Sequence, residues 1–196
     1  VKSGECVACH SPHASNQKAL LAQPTSRLCA TCHAPVVAEA ALPHGHRPAA
    51  QSDCVACHEP HQGPGAGLLK KQPPELCAGC HGELVDAIRK GAPHAPAGQG
   101  KCLTCHATHG SANPGMTVKP GSELCATCHA LDTPVMKAKH SGANLAGASC
   151  VTCHDPHVGT KGRPGLLKAE QHVPFAKGQC LSCHTGAGQT TTVAQG

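Results

Sequence analysis

The stretch CVACHSPH, Cys6 to His13, places two cysteines and a histidine in one short turn and adds a second histidine three residues on. Its first half recurs along the chain. Eight C-x-x-C pairs take up all 16 cysteines of the 196 residues, and a histidine follows every pair at once. The pairs are Cys6/Cys9, Cys29/Cys32, Cys54/Cys57, Cys77/Cys80, Cys102/Cys105, Cys125/Cys128, Cys150/Cys153 and Cys180/Cys183. Their histidines are His10, His33, His58, His81, His106, His129, His154 and His184.

Zinc ribbons use paired C-x-x-C but have no need of a histidine after each pair, and a disulfide framework has none either. C-x-x-C-H is the attachment sequence of a c-type haem. The two sulfurs become thioethers, and the histidine is the proximal ligand on one face of the iron. The expected cofactor set is therefore eight covalently bound haem c, with no cysteine left for a disulfide or a nucleophile.

Composition points the same way. There is no tryptophan or tyrosine and one phenylalanine, while glycine and proline number 22 and 17. Aromatic side chains supply much of an ordinary core, and so many Gly and Pro residues cut helices and strands short. Bound cofactors must replace the missing core. The expected fold is mostly coil with short α-helices wrapped round a row of haems, with little or no β-sheet. The formal charge of +5 changes sign once propionates are counted, to about −3 oxidised and about −11 reduced. Lys and Arg then read as propionate partners rather than as a nucleic-acid surface.

The motifs follow a 48-residue period. First-type motifs begin at Cys6, Cys54, Cys102 and Cys150, and second-type motifs at Cys29, Cys77 and Cys125. The expected organisation is one elongated domain of two-haem repeats, 1–48, 49–96, 97–144 and 145–196. First-type motifs read CVACHSPH, CVACHEPH, CLTCHATH and CVTCHDPH, each with a histidine three after the motif histidine. Second-type motifs have a leucine before the first cysteine (Leu28, Leu76, Leu124), and Ser26 or Ser122 is placed to cap a helix there. The strongest helix signal is ELCAGCHGELVDAIRKG, with Leu84, Val85 and Ile88 on one face and Gly91 as its stop. An apolar pair recurs between motifs as Leu20/Leu21, Leu68/Leu69 and Leu166/Leu167, with Met116/Thr117 in the third repeat. Met116 thus takes a leucine's place, so packing rather than ligation is its reading, and Met136 is likewise not assigned as a ligand.

Eight irons with two histidines each need 16 of the 17 histidines. The candidates for the distal positions are His13, His46, His61, His94, His109, His140, His157 and His172, with His44 spare or exchanging with His46. Spacing alone suggests that His46, His94, His140 and His172 serve the motif that follows each of them, at Cys54, Cys102, Cys150 and Cys180. His13, His61 and His109 then serve the next second-type motif, at Cys29, Cys77 and Cys125. That scheme leaves the first haem without a distal ligand and His157 without a haem. Either His44 fills the gap within the chain, or a histidine of a second copy does, with His157 first in line and His172 and His44 as alternatives. The second case gives a head-to-tail contact that propagates into a filament.

CVACHEPH and CVTCHDPH, with their doubled motifs, resemble the doubled-motif multihaem cytochrome c family. That family includes the periplasmic decahaem member of outer-membrane electron conduits and small electron donors to nitrite reductase. The resemblance implies bis-histidine haems in a close row that carries electrons, with other cytochromes as redox partners. The haem count and the unpaired ends are also similar in design to extracellular cytochrome nanowires. A filament subunit in extracellular electron transfer is the expected function; a periplasmic shuttle or a barrel-sheathed conduit component is the alternative, and a multihaem enzyme the lesser one. Bis-histidine iron has no open position for a substrate, so no catalytic residue is expected. Haem attachment outside the cytoplasm implies export, to the cell surface or the periplasm. The chain starts at Val1 without a basic-then-apolar leader, as a processed form would, and carries no run of 18 apolar residues.

Overall fold

The computed structural model describes residues 4–177 and 179, and the last motif, Cys180, Cys183 and His184, lies outside them. Short helices joined by turns and coil make up the described chain. They are α1 (Thr25–Ala40), α2 (Arg47–Ala50), α3 (Glu75–Lys90), α4 (Ala95–Gly98), α5 (Gly121–Ala126), α6 (Pro134–Lys139) and α7 (Val173–Ala176). Strands β1 (His44–Gly45), β2 (Ala92–Pro93), β3 (Gly110–Ser111) and β4 (Val158–Gly159) are two residues each. Two compact units divide the chain: Val1–Gly82 with Cys102–Val118, and Glu83–Lys101 with Lys119–Gly196.

Among the described residues Ala40 is the one buried apolar side chain, and no large side chain is fully buried. Meanwhile Val7, Leu20, Leu68, Leu103 and Val151, all beside first-type motifs, are left exposed. A chain that folds around side chains hides such residues. This one leaves them uncovered by protein, as apolar surface that an attached cofactor would cover.

α3 covers the residues that its sequence favours, and Gly91 follows it with its N–H donating to Ala87 O. The expected serine caps do not form. α1 starts behind Pro24 and α5 behind Pro120, neither with a side-chain cap. The Ser122 hydroxyl instead accepts from the Gly147 N–H at 3.0 Å, which holds the loop after α6. Proline already presets the φ of a helix start, so the serine oxygen is free for a longer-range bond.

Each first-type motif is closed by a left-handed turn. Ala19–Leu20, Gly67–Leu68, Gly115–Met116 and Gly165–Leu166 are consecutive residues at positive φ, as in a type I′ turn. The carbonyls of Leu20, Leu68, Met116 and Leu166 accept from the residue after each motif histidine, at 2.7 to 2.8 Å. The recurring apolar pair thus marks a backbone device as well as an apolar surface.

Two ladders join residues of different repeats. In the first unit β1 pairs antiparallel with β3, His44 opposite Ser111 and Gly45 opposite Gly110. In the second unit β2 pairs with β4, 48 residues further on: Ala92 opposite Gly159 and Pro93 opposite Val158. The first ladder lies against the end of α1. A Cβ at Gly45 would run into Ala40 O, and one at Gly110 into Glu39 O. Gly110→Ala is therefore expected to push the ladder off α1 at a cost of about 1–3 kcal/mol, read as a lower denaturation midpoint of the haem-loaded protein.

Candidate haem sites

The left-handed turns do more than close a loop. His10 Nδ1 donates to Ala19 O at 2.8 Å, His58 Nδ1 to Gly67 O at 2.6 Å and His106 Nδ1 to Gly115 O at 2.8 Å. His154 Nδ1 does the same to Gly165 O. A carbonyl can only accept, so Nδ1 must carry the proton and Nε2 is left bare. That is the nitrogen a metal needs, and a fixed partner on Nδ1 also sets the ring's orientation.

Second-type motifs lie on helices. The helical path of α1 breaks at His33 (φ −113°, ψ 32°) and that of α3 at His81 (φ −104°, ψ 34°), so each motif histidine sits at a kink just after its cysteines. The third repeat departs from this. α5 ends at Ala126, before Cys128 and His129, and a separate α6 starts at Pro134 under a Thr133 cap.

Five motif histidines each face a second histidine ring. The centroids are 5.8 Å apart for His10 and His61, 6.3 Å for His58 and His109, and 6.3 Å for His46 and His81. They are 6.0 Å apart for His94 and His129 and 6.2 Å for His140 and His154. In the first four pairs the ring planes lie within 21° to 24° of each other; in the fifth they are tilted by 55°. Imidazole nitrogens about 2 Å from one metal, on opposite sides of it, put the ring centroids about 6 Å apart. The spacing fits an iron held between the rings, and each motif's two cysteines directly precede its histidine in the chain.

The ladders supply the facing rings. His46 N–H donates to His109 O at 2.7 Å and His46 Nδ1 to Thr108 O at 3.1 Å. In the second unit His94 N–H donates to His157 O at 3.0 Å and His94 Nδ1 to Pro156 O at 3.1 Å. One ladder thus aims His46 at His81 and His109 at His58. The sixth-ligand scheme drawn from spacing is accordingly redrawn. His46 faces the fourth motif rather than the third, His94 the sixth rather than the fifth, His109 the third rather than the sixth, and His61 the first rather than the fourth. His140 faces His154, as its spacing suggested. For His46, His94 and His109 the reason is that a cross-repeat ladder, not the shortest connecting loop, fixes where the ring points.

His61 opposite His10 also gives the first site a candidate ligand from its own chain. His13 and His172 are exposed, His172 as the residue before α7, and His44 sits in β1 opposite Ser111. No ring faces any of these three among the described residues. His157 carries its N–H to Asp155 Oδ1 at 2.9 Å.

The thiols show which attachment points are neighbours. Burial pushes Cys29 up, with the nearby thiols of Cys54 and then Cys9 adding to it. Burial likewise raises Cys57, helped by Cys80 and Asp53 and opposed by Lys70. Burial and Cys102, then Cys57, raise Cys77, and burial and Cys125 raise Cys150. As thioethers these sulfurs do not titrate, so what carries over is proximity. The first to fifth motifs are neighbours in chain order within the first unit, and the sixth and seventh within the second.

The sequence treats both cysteines of a motif alike, and the structure does not. For Cys32, Cys105 and Cys153 the expected thioether role rests on the motif itself. Cys32 and Cys153 are exposed, as are Cys6, Cys80 and Cys128, while Cys105 is half-buried. The second cysteine adjoins the motif histidine, and its backbone is engaged in closing the loop or helix there. Cys105 O accepts from the Val118 N–H at 2.9 Å and Cys153 O from the Lys168 N–H at 3.0 Å. Cys32 Sγ lies on α1, 3.8 Å from the hydroxyl of Thr31 beside it. An exposed sulfur next to the proximal histidine is open to attachment. The described cysteines form no disulfide, and among the described residues no three His, Cys, Asp or Glu side chains converge as a zinc site would require.

The Doubled CXXCH motif family model matches residues 1–38, 46–86 and 94–133, more than half of the chain. No curated protein matches it significantly.

Proposed function

The chain belongs to the doubled CXXCH family of multihaem c-type cytochromes, which carry electrons, and from that premise we propose an octahaem electron carrier whose axial histidines are exchanged between repeats. The observation that carries this is the recurrence, 48 residues apart, of His10/His61 as His58/His109 and of His46/His81 as His94/His129. Haem supplies a one-electron iron couple. The chain does the rest: thioethers fix the macrocycle, two histidines close both faces, and neighbouring attachment points set the order of the row. With both faces closed there is no position for a substrate, which favours a carrier over an enzyme. No described helix is long and apolar enough to cross a membrane, and thioether attachment argues for export to the cell surface or the periplasm.

A head-to-tail contact in which His157, or else His172 or His44, reaches a haem of a second copy is the further reading, and the exposure of His172 supports it. Electron microscopy of the haem-loaded protein distinguishes filaments from discrete carriers.

Spectroscopy with reductant tests the carrier reading itself. Eight low-spin sites that reduce, re-oxidise with a soluble ferric complex and bind no carbon monoxide are expected. A high-spin iron that turns over nitrite or hydroxylamine would sink the carrier reading.

A further inference from the structure

We propose that Glu39 is a positioning residue that lowers the redox potential of the third site, the one between His58 and His109. The inference rests on reading those two histidines as an axial pair. Seven of the histidines considered above have Nδ1 on a neutral backbone carbonyl: His10, His46, His58, His94, His106, His140 and His154. His109 differs. Its Nδ1 lies 3.4 Å from Glu39 Oε2, with Thr108 Oγ1 also at 3.4 Å.

Packing holds the carboxylate there. Glu39 and Ala40 end α1 against the first ladder, where Gly45 and Gly110 have no Cβ to keep the helix away. Ala40 and Ser111, at the same junction, are two of the few buried residues described. Ser111 is tied further, its hydroxyl donating to Thr117 O at 2.6 Å. At the second ladder Ala87 stands in the place of Glu39, 48 residues on. There His157 Nδ1 is 3.8 Å from Asp155 Oδ1, an oxygen already taken by the N–H groups of His157 and Val158.

A carboxylate on the far nitrogen makes an imidazole a stronger donor to its metal. Its negative charge also favours the more positive, ferric state, and a half-buried pair is screened less than an exposed one. Both effects lower the potential. The site takes one electron from a one-electron donor, with no bond made or broken at Glu39 and no proton moved. An electron passing along the row thus meets an uphill step at the third site, which is among the last to be reduced.

Glu39→Gln in the full haem-loaded chain, titrated at a poised electrode and followed by low-temperature EPR, tests this. One component is expected to move to more positive potential while the others stay, and Glu39→Asp, whose charge is drawn back by one methylene, should move it less. If Glu39→Gln loads haem poorly, Glu39→Asp decides alone. Titrations superimposable on the unmodified protein at unchanged haem content would overturn the proposal. His109→Met separates the ligand from the residue behind it. If it leaves every site bis-histidine, the axial assignment fails; if it converts one site while Glu39→Gln shifts nothing, only the role of Glu39 fails.

Discussion

Replacing His46 and His81 together is expected to disable one haem site, not two. Each single change, His46→Ala or His81→Ala, should turn one low-spin iron high-spin. If the two rings face each other across one iron, as their 6.3 Å separation indicates, the double variant still shows a single altered site. His46→Ala with His58→Ala should alter two, because His58 faces His109. The opposite pattern follows from sequence spacing, in which His46 serves the motif eight residues downstream. Counting high-spin irons by EPR separates the two schemes without assigning any signal to a residue. Ligand loss cannot be absorbed nearby: the Thr108 carbonyl and the ladder place His46, and the described residues bring no other ring to His81.

The second large effect is on folding. Chain produced without haem attachment is expected to have no fixed tertiary structure. Ordering each residue's backbone costs about 1–2 kcal/mol, and among the described residues one alanine is the whole buried apolar set. α1 and α3 have 16 residues each, a length at which isolated helices are marginal in water. The left-handed leucines Leu20, Leu68 and Leu166 add strain that nothing else in such a chain would offset. Far-UV circular dichroism of the haem-free chain should be that of coil, and proteolysis should be fast where the haem-loaded form resists. A haem-free chain with dispersed amide resonances and slow digestion would show that the protein part holds a core of its own.

Attachment motifs and distal ligands differ in how far the sequence reveals them. The motif histidines and cysteines are legible because covalent attachment demands a contiguous signature, and α3 is legible because Leu84, Val85 and Ile88 repeat at helical spacing. The ladders are not. Strands of two residues, His44–Gly45 and Ala92–Pro93, have no alternation to read, and their partners lie two repeats further on. The distal assignment inherited that blindness, since spacing measures the chain between His46 and Cys54 but not the hydrogen bond from His46 to Thr108. Gly67, Gly115 and Gly165 do hint at the left-handed turns, but Ala19 in the same place hides the rule. The break between α5 and α6 has a visible cause in Asp132, Thr133 and Pro134, a turn and cap where the first two repeats run on as helix.

Exchange of axial histidines between repeats is the central claim, and an experimental structure of the haem-loaded protein at a resolution that shows iron–nitrogen bonds tests it most directly. The iron attached at Cys77 and Cys80 should be bound by His81 and His46, and the iron at Cys54 and Cys57 by His58 and His109. Density joining His46 to the iron at Cys54 and Cys57, or His109 to that at Cys125 and Cys128, would contradict it.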